Sequence, residues 1–226
     1  MDYLIRLDIQ LNELISHIDN TIGLEHVEFV LTSDHGGLPL PEFLPQLNLT
    51  GGRINRDNLR EAYDWIDDEI SEYYGENLFY KDFTNYYLFH DKLKKKNIEA
   101  SDLENIIKKY LGMVEGVKAV LSKTEIINSK KTDNVSLRLK NMVHVEKSAD
   151  IFVIIEPGYL YRNPYGTSHG SPYDYDAHVP LLFAKEGRSK TEIKVQAETV
   201  DIAPTILNLL NIKTDYPFDG KVLQIQ

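Results

Sequence analysis

A chain of 226 residues is long enough for one large domain or two small ones, and it can bury a sizeable core without disulfides or a structural metal. Its 42% hydrophobic and 27% charged residues exclude a disordered, collagen-like or coiled-coil chain. The balance of 25 Lys+Arg against 35 Asp+Glu, net −10, argues against a nucleic-acid partner, and the absence of cysteine excludes thiolate and disulfide chemistry.

No stretch approaches the roughly 20 apolar residues of a membrane span. Asp2, Arg6, Asp8 and Glu13 interrupt the apolar centre that a signal peptide needs. Residues 3–18 instead place Leu4, Leu7, Leu11, Leu14, Ile15 and Ile18 at helical spacing, which predicts a core-facing amphipathic helix stopped near Gly23. Val27 to Thr32 reads as a buried strand that ends in Ser33-Asp34-His35-Gly36-Gly37. Polar residues at the C-terminal end of such a strand mark the place where sites gather in an α/β sheet.

Residues 38–55, rich in Pro, Gly and Asn, predict a loop. Residues 56–74 predict a helix stopped at Gly75. The runs Leu78-Phe79-Tyr80 and Tyr86-Tyr87-Leu88-Phe89 suit a hairpin. Lys94-Lys95-Lys96 is too short for a basic stripe and reads as a solvated helix end. Ser101-Asp102-Leu103-Glu104 has the spacing of a capping box for a helix ending at Gly112, and Val117 to Leu121 follows as a strand. The region of about 40–125 therefore reads as a small α+β insertion lobe. After a short helix over 134–143, the main sheet is expected to resume with Ala149 to Ile155, apolar on both faces and hence central. A polar loop over 157–178 leads to a strand at Val179 to Phe183, and Asp201 is expected to cap a last helix running to Leu210.

Two segments could carry chemistry. Asp34-His35 offers a carboxylate and an imidazole, a donor pair that suits Zn²⁺, with Gly36 and Gly37 leaving room for a ligand. The same dipeptide also fits an Asp capping a turn beside an exposed His. The second is the loop from Gly166 to Pro180, which holds His169, Asp174, Asp176 and His178. A loop of that length is uncommon in a compact domain unless functional, although local turns would account for it too. Ser168 beside His169 does not make a Ser-His-Asp hydrolase, because no Gly-x-Ser-x-Gly elbow occurs. His17, His26, His90 and His144 read as structural or solvated.

The order of three motifs resembles the alkaline phosphatase superfamily. They are Leu31-Thr32-Ser33-Asp34-His35-Gly36; Gly166-Thr167-Ser168-His169-Gly170 running into Asp176-Ala177-His178-Val179-Pro180; and Thr199 to Leu207 with Asp219-Gly220-Lys221 after it. The likeness is closest to the phosphate-irrepressible alkaline phosphatases and the nucleotide pyrophosphatase/phosphodiesterase branch. It implies an α/β fold, an alkaline-phosphatase-like sheet flanked by helices with the insertion lobe within it. It also implies two zinc ions per complete site. Asp34 and His35 would bind the zinc that activates the nucleophile, and His169 the other. His178 has no ligand role in this resemblance.

The nucleophilic Thr or Ser, an Asp ligand near it, and a further Asp and His pair would lie upstream of these 226 residues. The resemblance thus implies that residues 1–226 are the C-terminal part of a longer domain, with no catalytic nucleophile of its own. The parent reaction would be zinc-dependent hydrolysis of a phosphorylated small molecule, a monoester. A phosphodiesterase or nucleotide pyrophosphatase of the same superfamily, or a non-catalytic metal-binding or interaction remnant, are the alternatives. Family members are exported to the periplasm or outside the cell. An open sheet edge would make the isolated chain prone to self-association.

Overall fold

The computed structural model of the chain describes residues 2–82, 84–161 and 165–225. It divides into two compact units, Met1–Thr32 with Pro180–Gln226, and Ser33–Val179. Among the described residues no helix is long and apolar enough to cross a membrane.

The first unit opens with helix α1 (Asp2–Thr21), and the chain turns at Gly23, whose φ of 87° suits glycine. The helix is where the apolar spacing places it, but none of its residues is buried. Leu4, Leu7, Leu11 and Leu14 are all exposed, so the expected core-facing stripe faces no core. Strand β1 (Phe29–Thr32) is likewise not the buried strand that its apolar run predicts. It pairs antiparallel with a single partner near the other end of the chain, Leu181–Ala184. The directly opposed Leu31 and Leu182 are 61% and 51% exposed. An apolar strand is buried on both faces only when layers cover both, and the exposed Leu31 and Leu182 have no such cover among the described residues. Arg188 grips the buried Glu28 carboxylate with both terminal nitrogens.

The second unit holds every hydrophobic cluster formed by the described residues. It begins with a 3-10 segment, Pro41–Leu47, and the short strand β2 (Gly52–Arg53). Helix α2 (Arg56–Tyr74) starts at Asn55, whose side chain accepts from the N–H groups of Asp57 and Asn58, and it stops at Gly75 with φ 79°. Strands β3 (Phe79–Asp82) and β4 (Asn85–Leu88) form the expected hairpin. Helix α3 (His90–Lys96) puts Lys94, Lys95 and Lys96 in its last turn, where the helix dipole favours cations.

Helix α4 (Ala100–Leu111) begins before Ser101, with Glu99 at the N-cap and no side-chain cap. Ser101 is therefore inside the helix and cannot cap it. The same Ser-x-x-Glu spelling is used one element later. After strand β5 (Val117–Ser122), the Ser122 hydroxyl accepts from Glu125 N–H and the Glu125 carboxylate accepts from Ser122 N–H, opening α5 (Lys123–Asn128). Helix α6 (Asn134–Met142) precedes strand β6 (Ile151–Ile155). The strand β7 (Tyr159–Leu160) pairs with β2, and the short helix α7 (Asp174–Ala177) follows. Residues 162–164 of the expected loop lie outside the described residues. The partner strand of β1 is β8, and after it come a 3-10 turn at Thr199–Asp201 and helix α8 (Ile202–Leu209) in the first unit. Asp201 does not cap α8 through its side chain. It is buried, and it accepts from Glu198 N–H and Lys221 N–H, joining the two pieces of the third motif.

Strand β6 is central, as its two apolar faces predict, but its neighbours differ from expectation. The sheet order is β3-β4-β6-β5, all antiparallel, so β6 belongs with the strands of the expected lobe rather than beside β1. Side chains alternate across the strand. Ile151 and Val153 enter the cluster with α2 and α4, whereas Phe152 and Ile154 enter the cluster with Ile126 and Leu139. At its start, Asp150 is buried and accepts from Leu88 N–H (2.8 Å), His90 Nε2 (3.0 Å) and Lys123 Nζ (3.0 Å). Burial pushes its carboxyl up, but these three partners outweigh burial and hold it below the usual range.

A final tie brings distant segments together. Gly36 N–H donates to Asp176 O (2.7 Å) and Gly37 N–H to Tyr175 O (2.8 Å). A Cβ at position 36 would overlap the Tyr175 carbonyl oxygen.

Three outcomes follow for the fold. Asp150→Ala leaves the Leu88 N–H without its acceptor and Lys123 without its counter-ion, so urea unfolding at pH 7 should show a loss of about 3 kcal/mol. Because folding depresses the Asp150 pKa, the difference should be complete above about pH 4 and shrink as pH falls below it. Gly36→Ala should separate residues 36–37 from 175–176, seen as lost amide-exchange protection at Gly37 while β6 stays protected. In sedimentation velocity the chain should form larger species as its concentration rises, and a Leu7→Glu, Leu11→Glu double variant should reduce them.

Candidate metal site

Asp34 and His35 leave the first residue of the second unit, and His169 sits on the loop before α7. All three lie within Ser33–Val179. The structure brings them together through His35. The rings of His35 and His169 stack with centroids 3.4 Å apart and planes 10° from parallel. Asp34 Oδ2 is 3.5 Å from His35 Nε2. Among the described residues no group of three or more His, Cys, Asp and Glu is gathered to hold one ion.

Local bonds fix each donor. The His35 N–H donates to Asp34 Oδ1 (3.0 Å), and this bond with the neighbouring imidazole keeps the Asp34 carboxyl below its usual range. The Asp34 side chain is 84% exposed, and His35 is half-buried. His35 Nδ1 lies 2.6 Å from Gly36 O. A carbonyl oxygen only accepts, so Nδ1 carries a proton, and in the neutral ring that a metal requires Nε2 is the nitrogen with the lone pair. In that neutral form Nε2 and Asp34 Oδ2 are two electron donors side by side. Two ligands of a tetrahedral Zn²⁺ with bonds of about 2.0–2.2 Å stand about 3.3–3.5 Å apart. The observed 3.5 Å fits that demand, so the donor set suits the ion.

The loop carrying His169 is fastened at three points. Arg53 Nη2 donates to Gly166 O (2.9 Å) while its Nε donates to Glu42 (2.7 Å). The Thr167 hydroxyl donates to Leu38 O. Ser171 N–H donates to Asp176 Oδ2 (2.7 Å). Helix α7 is itself anchored. The buried Tyr173 donates its hydroxyl proton to Ile155 O (2.7 Å) at the end of β6, and burial pushes its pKa up to about 12. Arg138 donates to Pro172 O (2.9 Å) and Asp174 Oδ1 (2.7 Å).

The other histidines have their own settings. His90 is on Asp150, His144 Nδ1 accepts from the Glu146 and Lys147 N–H groups, and His26 lies beside Glu25. His178 is exposed and closes α7 through its backbone N–H. Sequence reasoning missed the parts played by Asp176 and Arg53. Asp176 stands in the sequence as one of two carboxylates of the 166–180 loop, and nothing in its spacing marks burial.

No family model matches the chain. Relatives do. It is 26% identical over 216 residues to a calcium-transporting ATPase of Myroides odoratus, covering 94% of this chain and 39% of that protein. It is 27% identical over 215 residues to alkaline phosphatase PafA of Elizabethkingia meningoseptica, again covering 94% and 39%. The solved structure of wild-type alkaline phosphatase PafA matches with a TM-score of 0.84 at 27% identity, over 98% of this chain and 42% of that one. The chain thus spans about two fifths of the length of these relatives. Its α/β fold is the alkaline phosphatase fold over that span. Over nearly its whole length, in sequence and in fold, the chain is similar to members of the alkaline phosphatase superfamily.

Proposed function

We propose that this chain supplies one side of a zinc-dependent phosphate monoester hydrolase site. Asp34 and His35 hold one ion and His169 holds its neighbour. The observation that carries this reading is the Asp34 Oδ2–His35 Nε2 pair at 3.5 Å, with the Nδ1 proton committed to Gly36 O and the His169 ring stacked alongside. Bound there, zinc supplies Lewis-acid stabilisation of phosphoryl oxygens. The residues of the chain do the rest. Asp34 offers an exposed anionic oxygen, and Gly36 O fixes the tautomer that leaves Nε2 open. His35 and His169 present their rings in register.

The hydroxyl nucleophile and the remaining ligands come from outside these 226 residues, a reading supported by the share of the relatives that the chain spans. In that arrangement the site works outside the cytoplasm, as the family resemblance implies. The chain alone is then a weak zinc binder and not a catalyst, because three ligands split two and one leave each ion short of four.

Calorimetric titration with zinc should give weak saturable binding that is lost in His35→Ala and reduced in His169→Ala. The same samples should show no turnover of p-nitrophenyl phosphate above a chelator control. A wild-type chain that takes up no zinc would overturn the metal reading. Turnover that co-elutes with the chain in gel filtration would overturn the need for a nucleophile from elsewhere.

A further inference from the structure

Asp176 is only 5% exposed, yet it has a single side-chain partner. Its Oδ2 accepts from Ser171 N–H, two residues beyond His169. Its Oδ1 is enclosed and has no hydrogen-bond donor among the described residues. The same residue reaches the other histidine through its backbone. Asp176 O accepts from Gly36 N–H, one residue beyond His35, and Tyr175 O accepts from Gly37 N–H. Gly170, with φ 101°, makes the turn that lets Ser171 point back at the carboxylate. One residue thus grips the chain just after each member of the stacked pair, and α7 holds that residue against the end of β6 through Tyr173.

The hydrogen bond to Ser171 explains an acceptor oxygen at position 176 but not a charge. An asparagine would accept from Ser171 equally well. A buried carboxylate with one unpaired oxygen costs stability, so its charge points to a cation in the working state. The segments that this residue braces are the ones that carry His35 and His169.

We propose that Asp176 is a positioning residue for the His35–His169 pair, and that its carboxylate charge favours the cation held there. This rests on the metal reading above for its electrostatic half only. The brace itself is independent of metal.

The test uses the whole chain with Asp176→Asn and Asp176→Ala. Without metal, the imidazole proton resonances of His35 and His169, assigned with single His→Ala variants, report the stack by mutual ring-current shifts. Asp176→Asn should keep those shifts and melt at or above the wild-type temperature, while its zinc affinity falls roughly tenfold or more. Asp176→Ala should lose the shifts as well. A structural role alone would not separate stability from affinity in the Asn variant. Asp176→Asn that binds zinc as tightly as wild type overturns the electrostatic half, and Asp176→Ala that keeps the ring-current shifts overturns the brace. If the wild-type chain takes up no zinc, the functional reading falls together with the electrostatic half, and the ring-current comparison still decides the brace. Should Asp176→Ala fail to fold, unchanged zinc affinity in Asp176→Asn remains the refuting result.

Discussion

Strand β6 has no face left for water, and the second unit is arranged around that constraint. A strand apolar on both sides needs a layer on each. Ile151 and Val153 take the layer of α2 and α4, and Phe152 and Ile154 take the layer of α5 and α6. The two ends of the strand then do different work. Its start is held by Asp150, which gathers β4, α3 and α5 onto one carboxylate. Its end offers Ile155 O to the Tyr173 hydroxyl, which pins the helix from which the histidine segments are braced.

The candidate site is therefore tied back to that strand by hydrogen bonds rather than carried on a free loop. Tyr173 fixes α7, the carbonyls of 175 and 176 fix Gly36 and Gly37, and the Asp176 carboxylate fixes Ser171. Glycine at 36 is a steric requirement of this arrangement, because the Tyr175 carbonyl occupies the space of a side chain. Two imidazoles from positions 134 residues apart can stack only if both backbones are held this closely.

Much of this was legible in the residues. Helix spacing located α1 and α2, the aromatic runs located the β3–β4 hairpin, and the two-faced apolar run marked β6 as central. Asp34, His35 and His169 were named from motif order, and they meet in space. What the sequence could not carry was partner choice. The run 27–32 reads the same whether a strand is sandwiched or lies in a two-stranded ribbon, and only the neighbours decide. Ser101-x-x-Glu104 and Ser122-x-x-Glu125 are spelled alike, but the first sits one residue inside its helix and the second caps one. The burial of Asp176 was not legible because it depends on contacts between segments far apart in sequence.

The hydrophobic clusters are unevenly shared, and that has a thermodynamic consequence. All three lie in Ser33–Val179, while the β1–β8 pair is a two-stranded ribbon with exposed leucines, a type of structure marginal by itself. Every bond that fixes Asp34, His35 and His169 is internal to the clustered unit. Opening of the ribbon and melting of the histidine pair are thus separate cooperative events with separate free energies. The chain can fray at its apolar ribbon and keep the His35–His169 pair in native geometry, so the stacked rings outlast the least stable region.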